Sequence, residues 1–246
     1  MTSILNRKTA GRALRAALVA GGVAAVAAAV GLSQAAAGRA FLAPPQRLPA
    51  AAFAPAAHGA SETAVLSGGC FWGMQGVFEH VKGVRQVLAG YAGGKAANPS
   101  YEEVSTGTTG HAESIKVVFD PAQISYAEVL RIYFSVATDP TQVGGQFPDQ
   151  GPQYRGEIFY MDAAQRDVAQ RYVAQLGAAH AFKRPITTRI DPYAGFYPAE
   201  AYHQDYLVHH PSEPYIATYD LPKVDALKKL FPTEWRPAPL LALAAK

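Results

Sequence analysis

"SGGCFWGMQGVFEHV", residues 67–81, decides how this chain begins to fold and where its chemistry sits. Phe71, Met74, Val77, Phe78 and Val81 recur every three or four positions, the apolar stripe of an amphipathic helix. Upstream, "TAVLS" at 63–67 is short and β-prone, and Gly68 and Gly69 end it. The stretch therefore reads strand, glycine turn, helix, with Cys70 at the start of the helix. Cys70 is the only cysteine in 246 residues. The free N–H groups and positive dipole of a first helical turn stabilise negative charge, and the thiolate is the reactive form of cysteine. This position predicts a thiol with a depressed pKa. The glycines permit a sharp turn, and Phe71 and Trp72 offer an apolar wall beside the sulfur.

Working outward, 83–94 reads as a turn, a strand and a glycine loop, and 101–104 as a possible helical turn. "ESIKVVFD" alternates like a strand and stops at Asp120-Pro121. Residues 124–137 have helical spacing, with Ser125 and Glu128 placed as a capping box. Residues 138–156 are rich in Gly, Pro, Asp and Gln without periodicity, and loops of that length are usually functional. "EIFYM", "AAQRDVAQRYVAQLG" and "PITTRI" follow as strand, helix and strand. "FYPAEAYHQDYLVHHP" is aromatic-rich and partly helical, and 220–231 suits a closing helix. Imperfect alternation of strands and helices points to an α+β fold, a two-layer sandwich of helices on a mixed or antiparallel sheet.

The N-terminus reads as an address. Arg7, Lys8, Arg12 and Arg15 precede an apolar run at 16–32 and small residues around Ala37, the order of a secretory signal. Residues 1–37 are thus expected to be a signal peptide or an uncleaved anchor, which places the protein outside the cytoplasm, in a periplasm. Residues 38–60, dominated by Pro and Ala, are expected to be a linker without packing, and 61–246 a single catalytic domain. Residues 1–60 carry six basic and no acidic side chains; the remaining 16 basic and all 19 acidic ones follow. The domain is mildly acidic, which excludes a nucleic-acid footprint. A single cysteine also excludes an internal disulfide.

"GCFWG", "GYAGG", "GTTGHAE", "DQGPQYR" and "FYPAEAYHQDY" occur in this order, and with them the chain resembles the A-type peptide methionine sulfoxide reductases over about residues 63–235. The resemblance implies an α/β sandwich with a ferredoxin-like core. It implies that Cys70 attacks the sulfoxide sulfur, that Phe71 and Trp72 hold the S-methyl group, and that Glu113 protonates the oxygen. Tyr91 and Tyr154 are then the phenols that hydrogen-bond that oxygen, and Asp149 an acidic residue of the same pocket. From below, the chemistry is coherent. Sulfoxide oxygen leaves only when protonated, and an acid works best with a pKa near ambient pH, so Glu113 should be raised by burial. Attack leaves a sulfenic acid on Cys70. The resemblance implies no metal and no organic cofactor. The partners it implies are methionine sulfoxide, free or in oxidised proteins, and an external thiol reductant, small or thioredoxin-like. The protein is expected to be a monomer and to prefer the S epimer.

The pattern departs in two places. Many relatives carry further cysteines that capture the sulfenic acid; this chain has none, and Ser105 stands where some have one. The long loop reads "TDPT" and "VGGQF" through Thr138, Val143, Gly144, Gly145 and Phe147, which puts substrate preference in question more than the reaction. Two other classes compete. His203 and Asp205 with Cys70 would make a thiol hydrolase or acyl transferase, though structural hydrogen bonding is the simpler role for them. A non-catalytic exported domain that binds peptides through its tyrosines is the other; Tyr202 and Tyr206 read more simply as core packing than as the border of a pocket.

Overall fold

The computed structural model describes residues 43–55 and 59–242. The leader read at 1–37 lies outside the described residues. Among those described, no helix is long and apolar enough to cross a membrane.

The chain runs β1 (Glu62–Ser67), α1 (Phe71–Glu79), β2 (Val84–Ala92), α2 (Tyr101–Ser105), β3 (Ala112–Phe119), α3 (Tyr126–Ile132), β4 (Gly145–Gln146), β5 (Asp149–Gln150), β6 (Glu157–Tyr160), α4 (Ala163–Ala178), β7 (Arg189–Pro192), β8 (Phe196–Pro198), α5 (Tyr206–His209) and α6 (Leu221–Leu230). π-Helical turns at Tyr133–Ala137 and Ile216–Asp220 and 3₁₀ turns at Pro152–Tyr154 and Ala201–His203 complete it. Six strands form one mixed sheet in the order β7-β6-β1-β3-β2-β8, in which only β6 and β7 are parallel. Its centre, β6-β1-β3-β2, with α1 after β1 and α3 after β3, is the ferredoxin-like split βαβ arrangement. The fold is α+β.

Period-2 alternation divides the two faces. Ala64 and Leu66 of β1, Val87 and Ala89 of β2, and Ile115 and Val117 of β3 join Phe71, Met74, Val77 and Phe78 of α1 in the main core. Val65, Ala92 and Phe159 form a small cluster elsewhere, covered by Phe196. The helix at 124–137 begins on Ser125, whose side chain accepts from the Glu128 N–H, and widens into the π turn after Ile132. The long loop holds more structure than its composition suggests. β4 and β5 pair as a short hairpin before the 3₁₀ turn at Pro152–Tyr154. The strand expected at 185–190 forms slightly later, as β7.

Over the described residues 43–53, the reading of 38–60 as an unpacked linker is corrected. Residues 43–53 run as a strap over α3 and α4. Leu48 is buried in the main core, the Gln46 N–H donates to the Ser135 carbonyl, and Arg131 Nε donates to the Leu48 carbonyl. Tyr172 donates to the Pro49 carbonyl. Gln175 bonds both the Ala50 carbonyl and the Ala52 N–H. Composition misled because the strap's backbone groups find partners 80 or more residues away, which a local pattern cannot show.

Candidate active site

Cys70 is the N-cap residue of α1, where β1 ends and the helix begins. Tyr133 donates to the Ser67 carbonyl at 2.6 Å, and the Ser67 and Ser114 hydroxyls bond at 2.6 Å, so the end of β1 is clamped. Two glycines must follow. A Cβ on Gly68 would lie 2.7 Å from Thr138 Oγ1. Gly69 has φ +100°, and a Cβ there would lie 2.9 Å from Gln146 Cβ of β4. The turn is therefore packed against the long loop and open only to residues without side chains.

Glu113 sits on the next strand, directly opposite Tyr91 in the β2–β3 register, so both side chains project from one sheet face. Glu113 is buried, and its Oε2 accepts the Phe71 N–H at 3.0 Å. The carboxyl is thus bonded to the residue after the thiol. Burial pushes its pKa up to about 8, with Asp149 and Asp220 adding to the rise and the Phe71 N–H opposing it. The expectation of a raised acid holds.

The expectation of a depressed thiol does not. Cys70 is buried, and burial foremost, then the charges of Glu113 and Asp220, push its pKa well above the ordinary value. The Trp72 N–H and the Lys223 ammonium pull it down by less. The helix terminus is where the sequence placed it, but desolvation and two carboxyls outweigh it. Without substrate the resting sulfur is a thiol.

Phe71 is fully buried, with its ring centroid 5.9 Å from that of Tyr91. Trp72 is held on three sides. Its Nε1 donates to His203 Nδ1 at 3.2 Å, its ring stacks on Tyr206 at 4.0 Å, and Tyr215 meets it edge-on at 6.3 Å. Tyr91 donates to Glu200 Oε2 at 3.0 Å. Tyr154 ends the 3₁₀ turn, and its pKa is raised by burial, then by Glu113, Tyr101 and Asp149, with a smaller share from Cys70. Asp149 accepts a short hydrogen bond from the Tyr215 hydroxyl; its pKa is raised, mainly by burial. All seven residues singled out in the sequence converge around the start of α1.

Five others join them that the sequence reading did not single out, Glu200 among them although it lies within "FYPAEAYHQDY". Glu200 accepts from both the Tyr91 hydroxyl and the Tyr101 N–H. Tyr101 has its pKa raised by burial, then by Glu113, with Cys70 contributing. Tyr215, Asp220 and Lys223 close the site from the C-terminal side. Among the described residues, no group of three His, Cys, Asp or Glu side chains is placed to hold a metal ion.

The family model described as "Peptide methionine sulfoxide reductase" matches residues 62–235. The chain belongs to that family. It is 51% identical over 185 residues to "Peptide methionine sulfoxide reductase MsrA 2" of Mesorhizobium japonicum, covering 75% of this chain and 95% of the relative. It is 49% identical to a protein of the same name from Synechocystis, covering 70% and 80%. Among solved structures, methionine sulfoxide reductase A of Corynebacterium diphtheriae matches with a TM-score of 0.54 at 34% identity, covering 65% of this chain and 79% of the other. Reduced Mxr1 of Saccharomyces cerevisiae matches with a TM-score of 0.56 at 28% identity, covering 66% and 92%. The reductase is of the A type, an oxidoreductase that reduces methionine sulfoxide in peptides.

Proposed function

We propose that this reductase acts on the S epimer of methionine sulfoxide through Cys70 as nucleophile and Glu113 as general acid. The observation that carries the reading is the Glu113 carboxyl bonded to the Phe71 N–H, one residue from the sulfur, with a pKa pushed up to about 8. A carboxyl protonated at neutral pH holds the proton that a sulfoxide oxygen needs in order to leave. Tyr91 and Tyr154 donate to the same oxygen as its charge develops, Tyr91 exchanging its bond to Glu200 for one to substrate. Phe71 and Trp72 enclose the S-methyl group, and His203, Tyr206 and Tyr215 keep the indole in place.

The step balances as an oxygen transfer. Cys70 loses its thiol proton as its sulfur bonds to the sulfoxide sulfur, and the S–O bond breaks as that oxygen, twice protonated, leaves as water. Water then attacks the Cys70 sulfur, the S–S bond breaks, and methionine departs. The net change is one oxygen from methionine to cysteine, leaving Cys–SOH. With one cysteine in the chain, the sulfenic acid passes to an external thiol, either a small thiol or a thioredoxin-like protein. The basic, apolar, small-residue order at 1–37 favours an exported, periplasmic enzyme.

The test is single turnover with methionine sulfoxide and no reductant. One methionine released per enzyme, and one added oxygen trapped as an adduct on Cys70 of a monomer, is expected. Turnover by Cys70→Ser, or a disulfide-linked dimer as the obligatory intermediate, refutes it. The hydrolase alternative lacks its Cys–His hydrogen bond, because His203 Nδ1 accepts from Trp72 and Nε2 has no hydrogen-bond partner among the described residues.

A further inference from the structure

Asp220 ends the second π turn and Lys223 lies one turn into α6. The family chemistry as proposed above uses neither. Asp220 is completely buried. Its Oδ1 accepts from Lys223 Nζ at 3.0 Å, while its Oδ2 has no hydrogen-bond partner among the described residues. The carboxylate fills the space a side chain would take at Gly73, where an added Cβ would lie 2.1 Å from Oδ1. Gly73 is the third residue of the helix that Cys70 caps. A carboxylate inserted there, buried and half unsatisfied, raises the energy of a nearby thiolate unless a cation accompanies it.

We propose that the Lys223 ammonium, held by Asp220 in the cradle at Gly73, is the counter-charge that the Cys70 thiolate faces when it forms. Lys223 and Asp220 are positioning residues for the nucleophile. This rests on Cys70 being that nucleophile. The groups that face the sulfur are Glu113 from β3 and Asp220 from the π turn, which disfavour its charge, and the phenols Tyr215, Tyr101 and Tyr154, whose own ionisation a Cys70 thiolate opposes. Lys223 is the cation whose charge favours the Cys70 thiolate, and Cys70 in turn favours the charged form of Lys223. Asp149 also acts on Lys223, so the ammonium serves a cleft that holds three carboxyls. In a chain with no second cysteine to draw the reaction forward, attack depends on how often this one thiol ionises.

The test reads the thiol itself. The rate of Cys70 alkylation by iodoacetamide is measured against pH for the full chain and for Lys223→Met, Lys223→Arg and the double variant Asp220→Asn with Lys223→Met. Lys223→Met is expected to shift the profile upward by at least about one unit, a tenfold slower alkylation near neutral pH. Lys223→Arg is expected to stay within about threefold of the parent, because the charge is kept. The double variant removes both charges, leaves no lone buried carboxylate, and is expected to alkylate faster than Lys223→Met. A thermal melt accompanies each variant; if Lys223→Met fails to fold, the comparison of the arginine and double variants with the parent decides. An unchanged profile in a folded Lys223→Met overturns the proposal, as does a folded double variant no faster than Lys223→Met or an arginine variant slower by tenfold. Because alkylation does not depend on sulfoxide, failure here is distinct from failure of the reductase reading, which turnover by Cys70→Ser would show.

Discussion

Replacing Glu113 by Gln keeps an oxygen for the Phe71 N–H and removes the proton the reaction needs. Its carboxyl rises from 4.5 to about 8, chiefly through burial. That is a shift of about 3.5 units, and each unit is about 1.4 kcal/mol. The sign follows from proton binding. Between these two values the unfolded chain has released the proton and the folded chain keeps it, so stability falls as pH rises from about 4.5 to about 8 and levels off above. Gln cannot ionise and escapes this loss. The variant is therefore expected to be more stable than the parent, by under about 1 kcal/mol at pH 5 and by about 5 kcal/mol at pH 9. Urea titration of both proteins across that range measures it, with equal m-values as the check on two-state unfolding. Activity moves the other way. kcat is expected to fall by about 10²–10⁴ on loss of the acid, and the parent's kcat to decline above about pH 8. Stability curves that run parallel with pH, or a kcat within tenfold of the parent, would refute a proton held at Glu113.

Leu48→Ala is expected to cost about 2–4 kcal/mol, because Leu48 belongs to the main core through the strap at 43–53; chemical denaturation checks it, with specific activity of the folded protein unchanged. Gly69→Ala meets both a φ of +100° and Gln146 Cβ at 2.9 Å. It is expected to cost about 1–3 kcal/mol and to lower kcat/KM by displacing Cys70 from the helix terminus, seen in a thermal melt and steady-state kinetics.

The local design of the site was legible because its signals are local. Two glycines, a cysteine and an apolar stripe specify a strand, a turn too tight for side chains and a helix, and β1 and α1 form within a residue or two of that reading. Glu113 and Tyr91 were readable as members of motifs, and antiparallel pairing brings them face to face. The strap was not legible, since Pro- and Ala-rich chain looks the same whether it hangs in water or lies on helices whose side chains satisfy it. Nor was the C-terminal closure by Tyr215, Asp220 and Lys223, which reaches Cys70 across about 150 residues with no periodicity to announce it.

The amino-acid order alone determined the strand, turn and helix around Cys70 and the presence of a single thiol, because these depend on near neighbours and composition. Only the tertiary structure decided whether that thiol rests charged or neutral. Its ionisation is a balance of desolvation, two carboxyls and one ammonium, supplied by β3, a π turn and α6. Folding brings those charges together in a space that excludes water, where a few ångströms outweigh the helix terminus.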